Sequence, residues 1–212
     1  MGAVLASAGR YDEAAAAYGE AVAKEATSEN VTRQYEAMIK AGKTHEALAG
    51  LTSWVDGHPD DRLARLALAN ALIMTKRNSE ARAQYELLIA KDPDNVVVLN
   101  NLAWLYAAEG DPRSIEYAER AYRLDPASPE VADTLGVILT GSSNNDRALK
   151  LLSAAHDKIP SSPETTYHLA VALKNAGKAD EARTLLAQLL ATTVAFDERP
   201  KAETLKQQLD AH

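Results

Sequence analysis

The sequence has no cysteine among its 212 residues, which excludes disulfide bonds, thiolate catalysis and cysteine-ligated zinc. Aromatic residues are scarce, at 5%, and no segment shows the alternation of β-branched and polar residues that strands require. Alanine fills many of the apolar positions instead, and alanine has the highest helix propensity. With 46% hydrophobic residues, the composition predicts an ordered, all-α protein.

Two further absences concern partners. The formal net charge is −7 with both signs mixed along the chain, so the sequence offers no basic face for nucleic acid or for an anionic membrane. No apolar run approaches the roughly 18 residues of a membrane span, and residues 1–10 lack the basic leader and apolar core of a signal peptide. We therefore expect neither nucleic-acid binding nor direct insertion of this chain into a membrane.

What the sequence does contain is a helical hairpin at residues 99–126, LNNLAWLYAAEGDPRSIEYAERAYRLDP. Apolar residues recur at helical spacing on both sides of a turn at Gly110-Asp111-Pro112. Small residues lie where two helices must approach closely, and Asp125-Pro126 ends the second helix because proline lacks an amide donor. One such hairpin leaves an apolar stripe exposed, so the pattern predicts further copies on either side.

The copies appear as a regular period along the chain. Pro59, Pro93, Pro126 and Pro160 are separated by steps of 34, 33 and 34. A second series, with steps of 33, 34, 33, 34 and 34, marks the start of each second helix: Ala14, Ala47, Ala81, Ser114, Ala148 and Ala182.

This pattern resembles the tetratricopeptide repeat (TPR), a helix-turn-helix unit of about 34 residues. Repeat five carries the consensus steps most fully, at Leu135-Gly136, Leu139, Ala148, Leu152, Ala155 and Pro160. The resemblance implies an all-α, right-handed superhelical solenoid with a C-terminal capping helix. It implies one array with these bounds: partial repeat 1 at 1–26, then repeats at 27–59, 60–93, 94–126, 127–160 and 161–194, and the capping helix at 195–212.

Some parts of the chain depart from the repeat pattern. In repeat two, Gln34 or Tyr35 occupies the usual leucine step, which leaves its register open by one residue. Repeat four is one residue short in its turn, where we expect Pro112 to open the second helix. Repeat five replaces the turn glycine with GSSNND (141–146), interpreted as helix capping rather than a phosphate-binding loop. Because the chain begins inside a repeat, we expect it to be part of a longer array.

A narrower resemblance concerns the amino-acid sequence of particular stretches. The stretches NNLAWLYAAEGDP, EYAERAYRLDP, DTLGVIL and YHLAVALKNAGKADEAR are similar to the terminal repeats of bacterial TPR lipoproteins associated with PEP-CTERM/exosortase and exopolysaccharide loci. That resemblance implies a periplasmic or outer-membrane-associated location. Without it, the chain would be cytoplasmic, and the sequence leaves the compartment open.

The sequence predicts no enzyme, no metal site and no cofactor. The histidines at 45, 58, 156, 168 and 212 lie apart with no HExxH pair, and neither a GxSxG motif nor a P-loop occurs. Acidic pairs such as Asp12-Glu13 and Asp180-Glu181 stand at helix starts, where negative charge favours the helix dipole.

The resemblance instead places a binding groove on the concave side, lined by the first helix of each pair. Its groove-facing steps predict partner-binding residues at Leu66, Asn70, Met74, Asn100, Asn101, Trp104, Asp133, Thr134, Tyr167 and His168. Two asparagines match the chaperone-type carboxylate clamp. The cationic steps of that clamp are Leu66, Glu130 and Thr134 here, so binding of a C-terminal carboxylate is excluded.

Four residues in this set have two interpretations each. Trp104 is either a recognition anchor or a packing residue against the next repeat. Asn100 and Asn101 stand mid-helix, where asparagine is unfavourable, and serve either ligand contact or a hydrogen bond between repeats. His168 fits a groove-edge hydrogen bond better than a ligand to a metal.

The function predicted is a non-catalytic scaffold that binds a peptide or partner protein in the groove, in a bacterial envelope exopolysaccharide or protein-sorting system. One alternative is the substrate-selecting or regulatory arm of a larger enzyme. Another is a self-association module that forms a homodimer through the uncapped N-terminal repeat.

Overall fold

The computed structural model describes residues 1–140 and 144–211, and the secondary structure in these ranges is helical. The packing of the helices divides the chain into two compact units, unit 1 (Met1–Pro93) and unit 2 (Asp94–His212). Unit 1 holds α1 (Gly2–Ser7), α2 (Tyr11–Lys24), α3 (Ser28–Lys40), α4 (Thr44–Gly57), α5 (Arg62–Met74) and α6 (Asn78–Lys91). Unit 2 holds α7 (Val96–Ala108), α8 (Arg113–Leu124), α9 (Pro129–Thr140), α10 (Asn145–Lys158), α11 (Pro163–Asn175), α12 (Ala179–Ala191) and α13 (Arg199–Asp210).

Each unit is a series of helical hairpins that pack in sequence order. Unit 1 pairs α1 with α2, α3 with α4 and α5 with α6, and unit 2 pairs α7 with α8, α9 with α10 and α11 with α12. In unit 2 the first helices of successive pairs also touch, α7 with α9 and α9 with α11. The expected copies of the hairpin are therefore present, and within each unit they stack on their neighbours.

Capping side chains mark where the first helix begins in five of the six described pairs, the exception being α1. A side-chain oxygen accepts a hydrogen bond from a backbone amide three residues later at five equivalent positions. Those positions recur at steps of 34, 34, 33 and 34 and are Thr27, Asp61, Asn95, Ser128 and Ser162. Each oxygen satisfies an amide that the helix itself leaves unpaired, which costs about 1 kcal/mol if lost.

The caps also settle the register of repeat two. Counting from Thr27, Gln34 stands at the leucine step and Tyr35 at the following small-residue step. The bulky Tyr35 fits because its ring lies over Gly50 of α4, where an added Cβ would be only 2.2 Å from the ring. In this hairpin the large residue lies on the first helix and the glycine on the second, the reverse of the arrangement of Gly136 and Leu152.

The turn between the two helices of a pair uses a left-handed residue. Gly9, Gly42, Gly110 and Gly177 have φ values of 70 to 83°, which glycine adopts without a steric penalty. At the equivalent turn of repeat three stands Lys76, with φ at 59°. The same turn therefore carries backbone strain in one hairpin of unit 1.

Replacing Lys76 with glycine should raise the stability of unit 1. The left-handed conformation costs a residue with a Cβ about 1–2 kcal/mol, and glycine removes that cost. Part of the gain is offset, because glycine loses more conformational freedom on folding than lysine does. We expect a net gain of about 0.5–1 kcal/mol in urea unfolding followed by circular dichroism. The reverse change at the equivalent turn, Gly42→Lys, is the matched control and should destabilise. A loss of stability in Lys76→Gly would show that the lysine side chain itself holds the turn.

The turns of repeats four and five differ from the expectations in detail. Pro112 lies at the N-cap position of α8, one residue before the helix that it was expected to open. In the 141–146 loop, residues 141–143 lie outside the described part of the chain. Asn144 precedes α10 without a side-chain capping bond to the described residues, and the Asn145 amide donates to the Asn175 carbonyl of α11 at 3.3 Å. Asn145 therefore links two hairpins instead of capping one helix.

The C-terminal helix covers the last hairpin. Ala202, Leu205 and Leu209 are buried against a cluster that includes Leu186 and Phe196. The other face of the helix is polar, with Lys201, Gln207 and Gln208 exposed and Lys206 half-buried. This is the arrangement predicted for a capping helix.

Candidate functional site

The candidate site is a cavity of about 300 Å³ in unit 2, here named the inner cavity. It lies on the side where the first helices α7, α9 and α11 adjoin. Trp104, Ala107 and Ala108 line it from α7; Asp133, Thr134, Val137 and Ile138 from α9; His168 from α11; and Glu198 and Lys201 from the start of α13. On α7 and α9 the lining residues recur three or four positions apart, which is the spacing of one helix face.

Trp104 is the dominant apolar group of the inner cavity. Its side chain is 48% exposed although the residues that flank it in α7 are buried. Val137 and Ile138 of the neighbouring α9 line the same cavity. About half of the tryptophan surface is therefore open beside the apolar side of the cavity.

His168 connects three helices at one end of the inner cavity. Its Nδ1 lies 2.8 Å from Oδ2 of Asp133 on α9, and its Nε2 lies 3.3 Å from Oε2 of Glu198 at the N-cap of α13. The histidine side chain is 18% exposed and the two carboxylates are 15% and 25% exposed. Because a carboxylate faces each ring nitrogen, both nitrogens carry a proton and donate.

The electrostatics follow from this arrangement. Burial lowers the pKa of His168, but the hydrogen bonds and charges of Asp133 and Glu198 outweigh it and raise the pKa to about 9. The hydrogen bond from the same ring lowers the pKa of Glu198. The imidazolium therefore carries its charge at neutral pH and ties α9, α11 and α13 together.

The same geometry does not suit a metal ion. The two carboxylates lie against opposite ring nitrogens, so the three side chains do not converge on one point. In residues 1–140 and 144–211, no group of three or more histidine, aspartate or glutamate side chains is placed to hold a metal. What the cavity offers is an apolar surface with a polar end.

The structure distributes the predicted site residues between the units. Leu66, Asn70 and Met74 lie on α5 in unit 1. Met74 is 66% exposed, and the Asn70 side-chain carbonyl accepts a hydrogen bond from the Tyr85 hydroxyl at 2.5 Å. Asn70 therefore has a structural role within its own hairpin.

In unit 2 the inner cavity brings together four predicted residues, namely Trp104, Asp133, Thr134 and His168. Asn100, Asn101 and Tyr167 are half-buried and are not among its lining residues. Tyr167 packs against the buried cluster of α11 to α13, and burial raises its pKa, with a smaller effect of Glu198. The side-chain oxygen of Asn100 is buried and has no hydrogen-bond partner among the described residues.

Sequence reasoning missed Glu198 and did not place Lys201 at the site. Both follow the last repeat, in a segment where the repeat period supplies no equivalent step. The five N-cap residues were also missed, although their regular spacing along the sequence was available as a signal.

Comparisons with known proteins agree with the hairpin architecture. The sequence model of the family described as "Tetratricopeptide repeat" matches residues 38–96 and 139–209. A TPR repeat-containing protein of Pseudomonas aeruginosa is 28% identical over 145 residues, covering 64% of this chain and 24% of the relative. The chain thus spans about a quarter of the length of the curated relative that it matches.

Two solved structures show the same fold at low sequence identity. A chain of the APC/C heterotetramer Cut9-Hcn1 superposes with a TM-score of 0.83 at 16% identity, covering all of this chain and 42% of that one. YrrB, a TPR protein with an unusual peptide-binding site, superposes with a TM-score of 0.66 at 16% identity, covering 93% of this chain and 100% of that one. These likenesses confirm the predicted class of an all-α TPR solenoid.

The described part of the chain contains no helix with the length and hydrophobicity needed to cross a bilayer.

The family match covers more than half of the chain, and the hairpins, the turns and the repeat period all conform to it. The chain therefore belongs to the tetratricopeptide repeat family.

Proposed function

We propose that this chain is a non-catalytic protein-interaction scaffold whose inner cavity holds an extended segment of a partner protein. The observation that carries the proposal is Trp104, half-exposed at a cavity of about 300 Å³. Large aromatic side chains with an open face dominate the binding energy of many interfaces. Binding energy at this site would come mainly from desolvation of the indole and of its apolar neighbours.

The lining favours one apolar side chain of the partner, flanked by peptide backbone. Val137 and Ile138 provide an apolar wall beside the indole, and Thr134 supplies a hydroxyl that can donate and accept. At the polar end, the charges of Asp133 and Glu198 are offset by His168 and Lys201, which leaves no net charge to select a strongly charged ligand. The peptide-binding site of YrrB and the heterotetramer of Cut9-Hcn1 support the proposal, as properties of those proteins.

Replacing Trp104 with alanine should abolish most of the binding while leaving the fold intact. An array of immobilised random peptides without acidic residues, probed with fluorescently labelled protein, identifies the uncharged segments that the wild-type chain binds. We expect affinity for those segments to fall at least about tenfold in Trp104→Ala, because truncated interface anchors commonly cost about 2 kcal/mol or more, that is, roughly 30-fold.

The matched control is Leu124→Ala, which removes a large side chain that is 44% exposed at the end of α8, outside the inner cavity. It should bind as the wild type does. Equal binding by Trp104→Ala and the wild type would overturn the proposal, and equal loss in both variants would place the contact elsewhere.

The proposal extends to the bacterial envelope as the setting, with an exopolysaccharide or protein-sorting system as the partner pathway. Support comes from the amino-acid sequence of repeats four to six, which is similar to that of PEP-CTERM/exosortase-associated lipoproteins. A gene neighbourhood without envelope functions would remove this part and leave the scaffold role unaffected.

A substrate-selecting or regulatory arm of a larger enzyme is the second candidate. It is favoured by one observation: the matched relative is about four times as long as the region it shares with this chain. Self-association through the N-terminal repeat stays a prediction, which sedimentation at several concentrations would test.

A further inference from the structure

A second crevice in unit 2, here named the α10 crevice, differs from the inner cavity in place and in charge. It has a volume of about 250 Å³ and lies between the end of α8, the start of α9 and one face of α10. The described residues that line it do not line the inner cavity. Tyr122, Pro129 and Ala154 form apolar walls, and three cations follow one another along α10: Arg147, Lys150 and Lys158.

The three cations differ in how they are neutralised. Arg147 is held by both carboxylate oxygens of Glu119, one of them at 2.8 Å. Lys158 donates to the backbone carbonyl of Ala127 at 2.7 Å, which satisfies a hydrogen bond but not the charge. Lys150 is exposed and forms no ion pair with the described acidic side chains. Within the described part of the chain, two positive charges are thus left without an acidic partner.

The repeat itself supplies an internal comparison, because the same crevice recurs in unit 1 two repeats earlier. There the equivalent of Lys158 is Lys91, whose Nζ lies 3.4 Å from Oδ1 of Asp60. A second acid beside that crevice, Asp92, lies 3.7 Å from Arg62. Arg65, the third cation that lines this crevice, donates to the side-chain oxygen of Gln84 and to the Pro59 carbonyl. Two of the three cations in the unit 1 crevice are therefore paired with carboxylates.

Unit 2 has lost those acids at the equivalent positions. Ala127 stands at the position of Asp60, and Ile159 at the position of Asp92. The cations have also changed places, because Pro129 and Ala132 replace Arg62 and Arg65, whereas Arg147 and Lys150 stand where unit 1 has Glu80 and Ala83. Each crevice therefore has three cations, but one of those in unit 2 has an acidic partner, against two in unit 1. Since the whole chain has a net charge of −7, an overall excess of basic residues does not explain this local surplus.

We propose that the α10 crevice docks an acidic segment of a partner protein, at a site separate from the inner cavity. The positive groups are spread over most of α10, a distance of roughly 16 Å at about 1.5 Å per residue, and do not converge on one point. That spacing suits carboxylates distributed along a peptide better than a single small anion. The apolar walls suit the aliphatic residues between those carboxylates.

The test uses the whole chain and a fluorescein-labelled peptide rich in glutamate and leucine, with a counterpart that has glutamine in place of glutamate. Fluorescence anisotropy should show binding of the glutamate peptide, at least about tenfold tighter than the glutamine peptide and weaker at high salt. Lys150→Glu should weaken binding about tenfold. Lys24→Glu, the same charge change on an exposed residue at the end of α2, should leave it unchanged.

A second variant guards against misfolding. Ala127→Asp introduces the acid that unit 1 has at the equivalent position, Asp60, and Ala127 is exposed. It should also weaken binding of the glutamate peptide, with a melting temperature equal to or above that of the wild type. Trp104→Ala should bind this peptide as the wild type does, which separates the two sites.

Three results would overturn the proposal. Equal affinity for both peptides, or for wild type and Lys150→Glu, would show that the lysine is merely solvated. Displacement of the peptide by millimolar inorganic phosphate would show a simple anion site. Concentration-dependent association of the protein, lost in Lys150→Glu, would identify a second copy of this chain as the occupant.

Discussion

Replacing Gly136 with leucine should destabilise unit 2 by about 3 kcal/mol, near the upper end of what overpacking typically costs. Gly136 is buried in α9, and a Cβ built on it would lie 2.6 Å from Cγ of Leu152 on α10. Leu152 is itself fully buried, so it has no free space into which to move. The helices of this hairpin would have to separate, which also weakens the packing of α9 against α11.

Thermal unfolding followed by circular dichroism measures the effect, with hydrogen exchange to assign it to unit 2. The melting temperature should fall by several degrees, since 1 kcal/mol corresponds to about 2–4 °C in chains of this size. The control is Gly57→Leu at the end of α4, where an added Cβ would meet nothing within 4 Å. An unchanged melting temperature in Gly136→Leu would contradict the close approach of α9 and α10.

The partner residue allows a check on the mechanism. Leu152→Ala alone should cost about 2–5 kcal/mol through loss of packing. Combined with Gly136→Ala, it should cost less than the two single changes together, because the added methyl group enters the space that the leucine leaves. Tyr35 over Gly50 shows that this fold accommodates such an exchange of sizes.

The fold could be read from the sequence because its determinants are local and repeat. Each hairpin needs apolar residues at helical spacing, a small residue at the close approach, and a turn, and all of these recur with a period of about 34 residues. The capping helix was equally readable, since Leu205 and Leu209 lie on one face of an otherwise polar helix. Where repeat two departed from the consensus, only the structure could show that Tyr35 is accommodated by Gly50.

The site was less readable, because its contacts join positions that no periodicity relates. The family pattern placed Asp133 and His168 on one face, and the structure brings them within 2.8 Å. The same pattern could not include Glu198, which lies beyond the last repeat. Nor could it show that Asn70 is engaged by Tyr85, since a groove-facing step does not reveal which neighbour a side chain will bond.

The division into two units was also absent from the sequence reasoning, which predicted one array over residues 1–212. The period continues across residue 93 without a visible change, so nothing local marks the boundary. Packing between the hairpins, rather than the residues of any one hairpin, defines the units. The two crevices are a second feature that the period does not reveal. Lys91 and Lys158 occupy equivalent positions of the repeat, but Lys91 contacts a carboxylate and Lys158 contacts a backbone carbonyl.

The stability of unit 2 should fall as the pH rises from about 6.5 to about 9, through loss of the proton from His168. The folded-state pKa of about 9 lies above the ordinary 6.5, so folding favours the protonated ring. The contribution is fully present below pH 6.5 and is lost as the pH passes the folded-state pKa. A difference of this size corresponds to about 3 kcal/mol at most, since one pKa unit is worth about 1.4 kcal/mol.

His168→Gln isolates this effect, because glutamine is of similar size and does not titrate. Urea unfolding should show the wild type more stable than the variant at pH 6, with the difference shrinking towards zero near pH 10. Lysine and tyrosine residues that titrate in this range are common to both proteins and cancel in the difference.

A difference between wild type and His168→Gln that stays constant from pH 6 to pH 10 would contradict the arrangement. It would mean that the ring is held by packing and that the two carboxylates do not share its charge. The predicted trend would instead establish that Asp133 and Glu198 bind an imidazolium between α9 and α13. In that case the polar end of the inner cavity and the docking of the capping helix depend on the same proton. Any partner that displaces Glu198 from His168 would then loosen α13, and it would do so more readily at high pH, where the imidazolium has lost its charge.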